Sequence, residues 1–112
     1  MEITLADGGR FTFDFPVFVP MRHGGGNRYA PEPFAYPDGT AVPIYTDDDL
    51  ARRGMESQEC GDLTPLKVED GATFRRVIEN FQRCGATHLA IDICTQPGRP
   101  GGFLVPIATA LG

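Results

Sequence analysis

The chain has 112 residues, enough for one domain that buries roughly two-thirds of its unfolded surface and needs no covalent staple. A hydrophobic share of 41% argues against a disordered chain, and a net charge of −5 argues against non-specific binding to nucleic acid or an anionic membrane, which both call for a basic surface. Three cysteines, Cys60, Cys84 and Cys94, cannot all pair within one chain and show no CxxC spacing, which fits a reducing cytoplasm better than a disulfide scaffold.

Met1-Glu2-Ile3-Thr4 lacks the positive region and apolar run of a signal peptide, and no apolar stretch approaches the ~18 residues of a membrane span. The expectation is a cytoplasmic domain without a membrane segment. Ile3 and Leu5 alternate with polar residues, Asp7-Gly8-Gly9-Arg10 signals a turn, and Phe11, Phe13 and Phe15 alternate again, which predicts a β-hairpin with an apolar face. Pro16 ends it or marks a bulge. Val17 to Met21 is a further strand. Arg22 to Pro37, rich in glycine and proline, reads as one long loop, and Pro37-Asp38-Gly39 as a turn.

Thr40 to Tyr45 is a strand with Val42 and Ile44 on one side and Tyr45 on the other, and Pro43 points to an edge or an irregular ladder. A short helix over 47–53 follows, with Thr46 as its cap, Asp49 as the third helical residue, Arg52 and Arg53 at the negative end of the dipole, and Gly54 as its stop. Residues 55–62 read as polar loop and 63–68 as an extended segment. The main helix spans 71–84. Phe74, Val77, Ile78 and Phe81 lie on one face, Asp70 caps it and Gly85 ends it. His88 to Cys94 then alternates as a buried strand, Pro97 to Gly102 is loop, Phe103 to Val105 a last strand, and Pro106 opens a helical turn to Leu111. The predicted fold is α+β: a mixed or antiparallel sheet of about five strands, with helix 71–84 packed on one face and the short helix 47–53.

Few residues suggest chemistry. Asp47, Asp48 and Asp49 invite a metal, but consecutive helical carboxylates point about 100° apart and suit capping and dipole compensation better. His23, Cys60, Cys84 and His88 lack zinc-ligand spacing apart from Cys84-x-x-x-His88, so neither a metal nor a cofactor is expected. Arg22, His23, Gly24, Gly25, Gly26 and Arg28 form a candidate anion site, with accessible backbone N–H groups between two arginines, though without the strand-to-helix context of a phosphate loop. Cys94 ends a strand that should run antiparallel to the main helix, near that helix's N-terminus, where a thiol gains acidity; a buried structural cysteine is the simpler account. Phe11, Phe13, Phe15, Phe18, Phe34, Tyr36 and Tyr45 make the N-terminal half aromatic. They either fill the core or, with Phe11, Phe13, Phe18 and Tyr45 foremost, form an interface for a homodimer or another protein partner.

Val17-Phe18-Val19-Pro20, Asp38-Gly39-Thr40-Ala41-Val42-Pro43-Ile44-Tyr45-Thr46-Asp47 and Thr87-His88-Leu89-Ala90-Ile91-Asp92, with an acidic-start helix and an amphipathic helix between them, resemble the SseB-like domain, a family named for a bacterial serine-sensitivity-enhancing protein. The resemblance covers most of residues 17 to 111. It departs at Asp92-Ile93, where the family strand usually ends in an Asn-Pro-like turn. It implies an α+β domain of bacterial, cytoplasmic origin and carries over no catalytic residue. The function expected from it is a non-enzymatic binding or protein-interaction domain. The alternative is a small anion- or nucleotide-binding regulator, or small enzyme, built on Arg22 to Arg28.

Overall fold

The computed structural model describes residues 1–5, 7–24, 29–36, 39–57, 63–94 and 101–111, with the backbone alone for 57, 93–94 and 101–103. In chain order come β1 (Glu2–Thr4), β2 (Arg10–Thr12), β3 (Val17–His23), β4 (Tyr29–Ala30), β5 (Phe34–Tyr36), β6 (Gly39–Ile44), α1 (Asp48–Ser57), β7 (Thr64–Val68), α2 (Gly71–Arg83), β8 (His88–Cys94), β9 (Gly101–Pro106) and α3 (Ile107–Leu111).

The strands form a β1-β2 hairpin and two sheets of order β4-β3-β7 and β5-β6-β8-β9. The two sheets are joined at one point. Phe18 N–H donates to the Tyr45 carbonyl at 2.7 Å and Tyr45 N–H to the Phe18 carbonyl at 2.8 Å. The order across the molecule is therefore β7-β3-β6-β8-β9, a mixed sheet in which β6 and β8 are the parallel neighbours. Where β3 and β6 diverge from this bridge, β4 pairs with Arg22 and His23, and β5 pairs with the start of β6. The stretch predicted as one long loop thus contributes the end of β3 and two short strands.

Pro20, Pro43 and Pro65 sit inside strands without costing a ladder bond. The backbone groups of Phe18 and Tyr45 face each other, so with a period of two Pro20 and Pro43 face the same gap, beyond the end of β5 and between the paired segments. Pro20 lies opposite Pro65, in a position where neither residue owes the other a hydrogen bond.

The β6-α1-β7 connection moves to one edge of the sheet, and β7-α2-β8 moves back. Right-handed crossovers in opposite directions place their helices on opposite faces. On one face, Phe74, Val77, Ile78 and Phe81 of α2 pack with Val17, Val19, Val42, Ile44, Leu89 and Ile91. Each such side chain contributes about 1.5–3 kcal/mol by leaving water. The hairpin closes the side of this core, with the Phe13 ring 5.6 Å and the Phe15 ring 6.0 Å from Phe74. α2 begins as expected: the Asp70 carboxylate accepts from Thr73 N–H at 2.7 Å. It ends at Arg83, and Gly85 follows at φ +96°.

α1 departs from the sequence expectation at both ends. It starts at Asp48 rather than Asp47, and its cap is Asp47, whose carboxylate accepts from Asp49 N–H at 2.7 Å. Thr46 is not the cap, because its hydroxyl is taken by Asp92. Nor does Gly54 stop the helix, which runs on to Ser57. Gly54 is inside the helix because a Cβ there would meet the Tyr45 ring. Asp48 and Asp49 each pair one turn on, with Arg52 at 3.1 Å and Arg53 at 3.0 Å.

Candidate binding site

The carboxyl ends of the parallel strands β6 and β8 meet at Thr46 and Asp92. Asp92 is the one described non-glycine residue with positive φ, at 51°. The Thr46 N–H and hydroxyl donate to its two carboxylate oxygens at 2.8 and 2.7 Å, and the pairing of β8 with β9 shifts register just after it. A left-handed aspartate is tolerable because its short side chain bonds locally to the backbone. Here the bond crosses to the next strand and ties the exit of β6 to that of β8. Sequence reasoning placed Asp92 as one position in an alternation and as the point of departure from the SseB-like pattern, without a partner. The signal available was a carboxylate in a buried strand level with a Thr-Asp pair.

The described part of the candidate anion loop begins at the end of β3, which pairs with β4; there His23 lies opposite Tyr29 in register and their rings are 5.1 Å apart. Tyr29 is 39% exposed. The Arg22 guanidinium donates through Nε and Nη2 to both carboxylate oxygens of Glu32, at 3.2 and 3.1 Å. A bidentate carboxylate of the chain itself therefore occupies the geometry an external anion would use. Arg22, His23 and Gly24 are brought together at this end of β3; Gly25, Gly26 and Arg28 lie outside the described residues.

Of the aromatic candidates for an interface, Phe13 and Tyr45 are core residues, 5% and 2% exposed, and so are not available to a partner. Phe13 is enclosed by the rings of Phe11, Phe15 and Phe74, and Tyr45 by α1. Phe11 and Phe18 are half-buried. The side chain of Cys94 lies outside the described residues, as does Cys60; Cys84 is an exposed free thiol at the end of α2. His88 opens β8, with Nδ1 2.8 Å from the Thr87 hydroxyl. Among the described residues no group of three or more His, Cys, Asp or Glu is close enough to hold a metal ion, and no helix is long and apolar enough to cross a membrane.

Among the described residues a concavity lies elsewhere, between α2 and α3. It has a volume of about 250 Å³ and is lined by Arg75, Ile78, Glu79, Gln82, Ile107 and Leu111, with Ala108 at its rim. Arg75, Glu79 and Gln82 follow one another at helical spacing on the edge of the stripe that buries Ile78, so the same periodicity that builds the core also raises a polar wall beside it. Ile78 and Ile107 form a buried floor. Among the described residues the side chains of Arg75, Glu79 and Gln82 make no hydrogen bond or ion pair. The groove therefore offers a cation, an anion and an amide over apolar carbon. The sequence held no sign of it, because it exists only where α3 comes to lie beside α2.

Compared with known proteins, the chain matches no family model, no curated protein and no solved structure.

Proposed function

We propose that this chain is a non-enzymatic binding and protein-interaction domain of the SseB-like type, and that the α2–α3 groove receives an anchoring side chain of its partner. The observation that carries this is the groove itself. Its 250 Å³ falls below the roughly 300–1,000 Å³ of cofactor and drug-sized sites, and is suited to one side chain. Buried anchors in apolar pockets rimmed by polar groups supply most of the energy of protein interfaces, and arginine and tyrosine are prominent among them. Glu79 and Gln82 can accept from the head of such a residue while Ile78, Ile107 and Leu111 cover its stem.

The test is selection of a random peptide library on the pure protein. Selected peptides should share one arginine or aromatic anchor. They should lose at least tenfold in affinity on Ala108→Arg, which fills the rim, or Glu79→Arg, which inverts its charge. Peptides that bind these variants as well as the wild type would defeat the reading. A thermal-shift screen against phosphates and nucleotides, run alongside, addresses the alternative regulator: a hit abolished by Arg22→Ala would move the site to the β3–β4 pair.

A further inference from the structure

The two edges of the sheet are built differently. Along β3, Phe18 faces β6, so Val17, Val19 and Met21 face β7 and exchange hydrogen bonds with Val68, Leu66 and Thr64. The outward backbone groups of β7 then belong to Pro65, which has no N–H, and Lys67, a charged residue paired with Glu69 at 3.5 Å. Proline and lysine on an edge are the usual guards against a further strand.

The opposite edge carries its one such residue, Pro106, only at the last position of β9. Ile107 N–H donates to the Thr87 carbonyl at 3.0 Å, which sets the phase: Val105 and Phe103 face β8, while Gly102, Leu104 and Pro106 face outward. Among the described residues no strand lies outside β9. From Gly101 to Val105 it carries no charge and no proline, and Leu104 is half-buried. Such an edge is a template for pairing.

We propose that two copies of this chain join β9 to β9, antiparallel, about a two-fold axis at Leu104, so that the two sheets become one. A second copy fits because the edge is self-complementary. Leu104 N–H and C=O meet their own counterparts, and each Gly102 N–H meets the Pro106 carbonyl of the other copy. Pro106 is required only as an acceptor, and the overlap uses the whole outward face of β9. The same patch serves both partners, as a closed two-fold contact demands. This pairing is independent of the α2–α3 groove.

Sedimentation equilibrium on the wild type and three variants tests it. The wild type should show a monomer–dimer equilibrium. Leu104→Pro removes the central outward donor without touching a bond to β8 and should leave a monomer with an unchanged far-UV spectrum. Pro106→Ala supplies the missing donor to each Gly102 carbonyl and should tighten the dimer by about 10–100-fold, the worth of two added hydrogen bonds. Lys67→Ala, on the guarded edge, should change nothing. A strict monomer at millimolar concentration would overturn the proposal. So would a dimer that ignores both β9 variants, including one that responds instead to Ala108→Arg in the groove.

Discussion

Helices α1 and α2 cover opposite faces of one sheet, and they differ in what decides their ends. α2 is determined locally. Its cap, Asp70, reaches Thr73 three residues on; its apolar stripe has the helical period; and a glycine at φ +96° follows its end. α1 is determined from a distance. The threonine before it bonds to an aspartate in β8, and the glycine within it is shaped by a tyrosine at the end of β6. Local signals decide an element when no distant partner competes for the same groups, and lose when one does.

Gly54→Ala should break this comparison most strongly. In an exposed helix the change stabilises by about 0.5–1 kcal/mol, because alanine loses less backbone freedom on folding. At Gly54 the added Cβ meets the Oη, Cε1 and Cζ atoms of Tyr45, a side chain only 2% exposed that cannot swing into water without leaving the core. The sign should therefore reverse, to a loss of about 1–3 kcal/mol from overpacking. Urea denaturation gives the value. In a Tyr45→Ala background the same substitution should be neutral or favourable, and that coupling separates ring contact from helix propensity.

The Thr46–Asp92 tie should come next. Thr46→Val removes the 2.7 Å hydroxyl bond to a charged acceptor and keeps the backbone bond, a loss of about 1.5 kcal/mol at a half-exposed site. Asp92→Asn keeps an acceptor and a side chain that tolerates φ 51°, whereas Asp92→Val loses both, so valine should cost clearly more than asparagine. Equal midpoints for the two Asp92 variants in urea would mean that neither the backbone conformation nor the tie contributes.

These residues also mark how far the sequence could be read. The main helix, the alternating strand after it and the N-terminal hairpin follow from periodicity and turn chemistry, and from them an α+β fold with about five strands in its main sheet. The pairing of β4 and β5 inside a glycine- and proline-rich stretch did not, since two- and three-residue strands carry too little pattern to distinguish them from loop. Nor did the groove. Arg75, Glu79 and Gln82 read as the solvated side of an amphipathic helix until α3 is placed beside them, and no local rule places it. Phe13 and Tyr45 read equally well as core or interface, because aromatic content measures how much surface must be covered and not what covers it.

The smallest effect belongs to the locally determined helix. The Asp70 carboxyl is held below its ordinary value of 3.8, first by the Thr73 N–H, then by the Thr73 hydroxyl, with Arg76 adding attraction. Because the folded value lies below the unfolded one, the charged cap adds stability above the ordinary carboxylate range. That contribution fades as pH falls through the lowered folded value. Asp70→Asn retains an acceptor for the Thr73 N–H but not the charge. Its urea midpoint should fall slightly short of the wild type at neutral pH and converge with it once the pH has fallen below the lowered folded value. A gap that persists in acid would show that the cap acts through geometry alone. The start of α2 would still be determined locally, but by the shape of one side chain rather than by its charge.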